Sequence, residues 1–295
     1  MKVREQIQRF FVMVISVALI AGAIGAPVSA QAPPSFSGRD LDNLVARIAL
    51  YPDPLLAQVL AAATYSDQIP DAAKWADEHH YLTGDALVAA INQDQLPWDV
   101  SVQALLPFPS VLEMMAGDMN WTSAVGNAFL AQPNDVEDAV QRERNTARRY
   151  GYLQSNAQVV VSGDPYITIM PVDAGFIYVP AYDPLIVYAA PRAGFFVGGA
   201  IGWGFGLRIG IGFRPWGWGT SRFVWGSHQV FIAGGVWGRT WVNRGTYVHP
   251  YVGVQRFAGP RGVEHHEAIT RSPAERNAAR RGQPPPKEAH RGRGH

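Results

Sequence analysis

The sequence predicts an α+β protein. An N-terminal helical domain with a duplicated helical hairpin leads into a short antiparallel β meander, then a Gly/aromatic-rich region and a disordered tail. Three observations predict it. Apolar residues recur at helical spacing from about Arg39 to Asn156. Near Ala157 the pattern changes to short β-branched runs separated by turn residues. From Gly194 to Phe257 glycine and aromatic residues dominate, and this stretch holds six of the nine tryptophans. The 295 residues leave room for one or two domains with a real core.

The chain opens with Lys2, Arg4 and Arg9, the apolar run "FFVMVISVALIAGAIGA" and the small-residue site Val28-Ser29-Ala30. These are the three parts of a secretory signal peptide over residues 1–30, with a linker over 31–38. The mature chain is therefore expected to begin near Gln31 and to be exported, to the periplasm, outer membrane or associated envelope.

In the helical domain (39–156), Leu41, Leu44, Val45 and Ile48 form one apolar stripe. Asp53-Pro54 supplies an N-cap and a first-turn proline, and Leu55, Leu56, Val59, Leu60 and Ala63 continue as a second stripe. Pro70-Asp71, Thr83, Pro97 and Pro109 mark further helix starts. Asn134 with Glu137 reads as a capping box opening a last helix toward Arg149, with Gly151 as its C-terminal stop. "LLAQVLAAATYSDQIPDAA" from Leu55 aligns with "VLEMMAGDMNWTSAVGNAF" from Val111, pairing Leu56 with Leu112, Val59 with Met115, Tyr65 with Trp121 and Ala72 with Ala128. A duplicated hairpin should bury the same positions in both copies. Tyr65, Trp75, Trp98 and Trp121 are expected in the core.

Over 157–190, turns at Ser162–Pro165, Asp173–Gly175 and Asp183-Pro184 separate three or four short strands. Tyr166, Thr168 and Met170 should face one side, Ile167 and Ile169 the other, while Pro171 and Pro180 remove ladder donors. The region over 191–258 reads two ways. Gly194, Gly198, Gly202, Gly206 and Gly210 recur every fourth residue, as in closely packed membrane helices. Yet bulky residues alternate with glycine, once arginine, from Gly202 to Phe213, which predicts strand there and leaves Gly194–Ile201 open. Arg192 and Arg208 shorten any span below the ~20 apolar residues a membrane helix needs. Residues 259–295 are rich in Arg, Pro and Gly and are expected to form a disordered basic tail.

A net charge of +1 gives no reason to expect a nucleic-acid partner, and the absence of cysteine excludes disulfides, thiolate metal sites and cysteine nucleophiles. Charge is unevenly spread: sixteen acidic against seven basic residues from Pro33 to Asn156, but eight arginines and no acid from Pro184 to Val263. Such a split suggests a basic face for an anionic partner, or two halves that attract each other. No H-E-x-x-H, G-x-S-x-G, P-loop or complete G-x-G-x-x-G is present, so no catalytic residues, cofactor or metal are assigned. Asp164, Asp173 and Asp183 fit turn chemistry. His79 and His80, and the tail group Glu264-His265-His266-Glu267 with His290 and His295, read as solvated surface.

The candidate binding residues are Trp203, Arg208, Arg214, Trp216, Trp218, Arg222, Trp225, Trp237, Arg239 and Trp241, with Arg244 beside them. Guanidinium groups bind phosphate bidentately and flat rings stack on sugars or settle at membrane interfaces. In an exported protein the matching partners are envelope lipid, lipopolysaccharide or peptidoglycan, with the helical repeats as a possible grip for a protein partner. The alternative is a Gly/aromatic β-structure whose arginines merely line the exposed face.

"IALYPDPLLAQVLAAATYSDQIPDAAKW", "PWDVSVQALLPFPSVLEMM", "DMNWTSAVGNAFLAQPNDVEDAVQRER" and "FIYVPAYDPLIVY" together resemble the bacterial exported proteins grouped as domain of unknown function 3300. The resemblance covers roughly Leu41 to Trp218. It implies a signal peptide, this helical region, a Gly-rich segment, a variable polar tail and a membrane-related location, with no catalytic residues to carry over. The expected function is thus a non-enzymatic cell-envelope protein attached through its Gly/aromatic/Arg region. A wall hydrolase using carboxylates of the acidic half, or a periplasmic protein-binding module, are the alternatives.

Overall fold

The computed structural model describes residues 31–191 and 198–245. The signal-peptide reading, the tail and its histidines, and part of the undecided stretch after Gly194 lie outside the described residues. The chain divides after Pro33, and every element below belongs to the body that starts at Pro34.

The protein is α+β: helices first, short antiparallel strands after. Helix α1 (Gly38–Val45) starts at a capping box in which Ser37 Oγ accepts from Asp40 N–H and Asp40 accepts from Ser37 N–H. Then come α2 (Asp53–Ala63), a 3-10 turn (Ser66–Gln68), α3 (Ile69–Glu78), α4 (Gly84–Asp94) and α5 (Val100–Gln103). Helices α6 (Pro109–Gly117), α7 (Met119–Ala131) and α8 (Pro133–Arg149) complete the helical half. Pro109 begins α6 as expected, whereas the start expected at Pro97 falls at Asp99, whose carboxylate accepts from Ser101 N–H at 2.9 Å. Gly151 follows α8, its N–H bonded to the Arg148 carbonyl.

Each expected repeat pair is buried in both copies: Leu56 and Leu112, Val59 and Met115, Tyr65 and Trp121, Ala72 and Ala128. The copies interleave rather than sit side by side. The first helix of one, α2, packs on the second helix of the other, α7, while α3 packs on α6. α2 is buried along all eleven of its residues. Its only polar side chains, Asp53 and Gln58, are both hydrogen-bonded to distant segments. A helix apolar on every side belongs in the interior, and α5, α7 and strands of the C-terminal half enclose it.

Strands β1 (Val159–Ser162) and β2 (Thr168–Pro171) pair as a hairpin, with Ile167 and Ile169 inward and Tyr166 and Met170 outward, as the alternation predicted. The next strands find their partners elsewhere. β3 (Phe176–Ile177) pairs with β6 (Leu207–Arg208), and β4 (Ala181–Tyr182) with β5 (Ile201–Gly202), nested around the short helix α9 (Pro184–Val187). Between the two ladders, residues 178–180 oppose residues 203–206, so the glycine-rich side carries one extra residue. This corrects the single strand expected over Gly202–Phe213. An extra residue reverses which face the following side chains point to. Trp203 accordingly packs on one apolar cluster, Leu207 on the other, and Phe205 in between is fully exposed. A 3-10 turn (Ile211–Trp216) ends the alternation, and β7 (Arg222–Val224), β8 (Gln229–Ile232) and β9 (Gly235–Val236) form a three-stranded sheet. No helix among the described residues is long and apolar enough to cross a membrane.

The main core is continuous from Leu41 in α1 to Ile232 in β8, and includes Phe213, Trp216, Trp218 and Trp225. A smaller cluster of Leu50, Ala147, Leu153, Val159, Ile167, Ile169 and Val187 lies under the β1–β2 hairpin. The α2–α7 contact is the closest in the core: a methyl at Gly126 would lie 2.0 Å from the Ala63 carbonyl oxygen. Gly126→Ala, which gains about 1 kcal/mol of helix propensity, is expected to lower stability by at least about 2 kcal/mol. The urea midpoint measures it, and an unchanged or raised midpoint would refute the close approach.

Candidate functional site

Asp53 was expected to cap α2, but no side-chain cap bond is made there. Its carboxylate turns inward instead. Oδ1 accepts from Arg144 Nη1 at 2.6 Å and from Ile169 N–H at 3.2 Å, and Oδ2 accepts from Trp225 Nε1 at 2.9 Å. Arg144, on α8, is fully buried. Its Nε donates to the Ala49 carbonyl at 2.8 Å, Nη1 also to that of Ile167 at 2.9 Å, and Nη2 to that of Tyr51 at 2.9 Å. The guanidinium lies 4.9 Å from the Trp225 ring centre. Its position is inaccessible to any ligand, so this pair positions other groups rather than reacting itself.

The ten candidate residues separate into two sets. Trp216, Trp218 and Trp225 are buried, and each indole N–H is committed: to Gln103 Oε1 at 2.8 Å, the Ala104 carbonyl at 3.0 Å and Asp53. Gln58 secures the same turn by donating to the Trp216 carbonyl and to Ser221 Oγ, both at 3.0 Å. Gly217 between them has φ 88° and no room for a Cβ, which would lie 2.9 Å from Gln58 Nε2. Trp203, Trp237 and Trp241 are half-buried, Trp237 against Phe129 and Trp241 through its backbone N–H on the Leu130 carbonyl. Arg239 lies over Tyr65 and donates to the Thr64 carbonyl. Only Arg208, Arg214 and Arg222 of the set are exposed. The tryptophans therefore build the body more than they present a surface. The reason is chemical: an indole is buried at little cost once its N–H has an acceptor, and the helical half supplies one for Trp216, Trp218 and Trp225.

Two carboxyls of α8, Glu137 and Glu143, are raised well above the usual carboxylate range. Glu137 was expected in a capping box with Asn134, yet α8 starts at Pro133 with no side-chain cap. Glu137 is 1% exposed and neither carboxyl oxygen has a hydrogen-bond partner. His228 stands opposite: Nδ1 lies 3.9 Å from Glu137, and Nε2 lies 3.8 Å from Asp138. Burial first, and the Asp138 charge second, push Glu137 up to about 8. Glu143, six residues along α8, is raised to about 7 by burial and then by Asp42. A groove of about 580 Å³ opens there between Asp42, Asp138, Arg142, Glu143, Arg149 and Tyr166.

His79 also departs from its solvated expectation. It is buried, stacked 3.9 Å from Trp75, with Nδ1 2.8 Å from the Trp75 carbonyl. Asp173 and Asp183 do serve turns, accepting from Gly175 and Leu185 N–H. Among the described residues no three His, Asp or Glu side chains are gathered as a metal would require.

The fold and site define a class: an α+β body in which an interleaved helical repeat is sealed by a Gly/Trp-rich β half, with a polar groove beside it. The chain belongs to the family described as Protein of unknown function (DUF3300), which matches residues 37–241. It is similar to the Uncharacterized protein YacH of Escherichia coli (strain K12), 34% identical over a match covering 57% of this chain and 34% of that one. The match thus spans about a third of the length of that relative. No solved structure matches the chain.

Two outcomes follow from the buried charges. Asp53→Ala leaves the Arg144 guanidinium uncompensated and should cost about 3–5 kcal/mol, or abolish folding. A chemical-denaturation midpoint reads it. For Glu137, the folded state holds the proton to higher pH than the unfolded chain does. Its contribution is therefore complete below the ordinary carboxylate range and is lost as pH rises toward 8. Glu137→Gln stays neutral, so its melting temperature should gain on the parent's steadily from pH 5 to pH 8. Parallel curves would contradict the perturbed carboxyl.

Proposed function

We propose that the protein is a non-enzymatic, exported cell-envelope protein that attaches to an anionic envelope surface through the arginines of its Gly/aromatic region. The observation that carries this reading is that Arg208, Arg214 and Arg222 are exposed, and no ion pair joins them to a carboxylate among the described residues. They belong to a stretch of eighty residues, Pro184 to Val263, that contains no acid at all. Arg222 gives one donor to the Thr220 carbonyl and lies over the Phe231 ring, and guanidinium donors not spent on a carboxylate are left for phosphate or carboxylate groups from outside. Phe205 and Ile211 flank Arg208 in sequence and are exposed as well, which suits a surface with an apolar layer behind its charges. The buried tryptophans are not part of this contact; they hold the segment to the helical half.

The partner class is envelope lipid, lipopolysaccharide or the anionic wall polymer, and vesicle binding separates the first two from the last. The full chain without residues 1–30 should sediment with phosphatidylglycerol-containing vesicles or lipopolysaccharide and not with phosphatidylcholine alone. Each basic residue near an anionic surface contributes about 1 kcal/mol, so the combined Arg208→Ser, Arg214→Ser and Arg222→Ser variant should bind roughly 100-fold more weakly. Rising salt should weaken the parent and leave the variant little changed. Equal binding by parent and variant, or sedimentation with neither anionic surface nor isolated peptidoglycan, would overturn the proposal.

A further inference from the structure

The groove along α8 is separate from the exposed arginines and differs from them in chemistry. Three acids and two bases line it. Asp42 and Arg142 form an ion pair at 2.7 Å, Asp138 and Arg149 supply one further charge of each sign, and burial raises Glu143 to about 7, which reduces the charge it adds. A site with so little net charge selects poorly for ions, whether cationic or anionic. What it offers is a dense alternation of donors and acceptors. Glu143 Oε2 is buried and has no hydrogen-bond partner. Asn145, also in the lining, donates through Nδ2 to the Gln141 carbonyl at 2.8 Å and has a side-chain carbonyl that can accept. Asp138, its side chain 49% exposed, lies 3.8 Å from His228 Nε2, and Thr146 contributes a hydroxyl.

An aromatic ring completes the lining. Tyr166 lines the groove, is 38% exposed and lies beside Gly226. It stands in the turn between β1 and β2, next to Ile167, which Gln141 holds inward by both donating to and accepting from its backbone. The turn is thus anchored at the residue that follows the ring. A volume of about 580 Å³ lies within the ~300–1,000 Å³ range of small-molecule sites.

We propose that this groove binds a neutral oligosaccharide, with Tyr166 as the stacking ring and Asp138, Glu143 and Asn145 as the groups that hydrogen-bond sugar hydroxyls. Sugars carry many hydroxyls that both donate and accept, plus flat C–H faces that stack on aromatic rings. The lining matches both features, and its small net charge gives a charged ligand little advantage.

Titration of the full chain, without residues 1–30, with chitotetraose and with maltotetraose, followed by NMR or calorimetry, tests the proposal. Saturable binding of at least one sugar is expected. Tyr166→Ala should weaken it tenfold or more, while Tyr166→Trp retains it. Asp138→Asn, a surface change that leaves the core untouched, should weaken it several-fold and stands in if Tyr166→Ala does not fold. The triple arginine variant should bind sugar like the parent, so the two proposals fail separately. No binding of either sugar up to about 10 mM, binding indifferent to both groove variants, or preferential binding of trilysine would overturn it.

Discussion

The Arg144–Asp53 pair is the constraint on which the rest of the structure depends. Two charges withdrawn from water carry a desolvation penalty of several kcal/mol each, which attraction alone recovers only with good geometry and satisfied donors. Here the guanidinium donates through all three nitrogens and the carboxylate accepts through both oxygens. Those partners come from far apart in the chain: the segment before α2, the start of α2, the β1–β2 hairpin and Trp225. No single segment can satisfy the pair, so it is stable only when all of them are assembled. The hairpin and the Gly/Trp-rich half are thereby tied to the helical half by hydrogen bonds to one buried cluster. Among the described residues no ion pair joins an arginine of 198–245 to a helical carboxylate, while His228 comes within 4 Å of Glu137 and Asp138.

The repeat shows how one duplicated sequence acquires two roles. Both hairpins bury the same four positions, and their exchange of partners, α2 with α7 and α3 with α6, places each copy's apolar faces against the other's. The copies then diverge. α6 buries Val111, Leu112 and Met115 and leaves its remaining face to intermediate or exposed positions. α2 is enclosed on every side because β7, β8 and the Trp216–Trp218 turn cover it. Gln58 and Asp53, the two polar interruptions in α2, are the points at which that cover is fastened.

Much of the local structure was legible. Proline positions and apolar spacing marked most helix starts, alternation gave the inward faces of Ile167 and Ile169, and turn aspartates were read correctly at Asp173 and Asp183. The misreadings share a cause. Asp53 and Glu137 both stand near helix N-termini, where a carboxylate ordinarily caps, and only tertiary neighbours show that each is buried. The one available signal for Asp53 was the unbroken apolar character of α2 around it, which implies a helix with no solvent face. His79 was read from the helix terminus it occupies, although Trp75, one turn earlier on the same face, was already assigned to the core.

The sequence by itself determined the α+β class, the helical repeat, the family and the acid-free, arginine-bearing stretch from Pro184 to Val263. These are properties of spacing and composition, which each segment carries alone. Only the tertiary structure decided what the glycine- and tryptophan-rich segment does. Its alternation promised one continuous strand, but a single extra residue opposite 178–180 reverses the faces midway, and its tryptophans point into the helical core. Register and burial depend on the partner a segment meets. For this segment the partner lies more than a hundred residues away, in Asp53, Gln58 and Gln103.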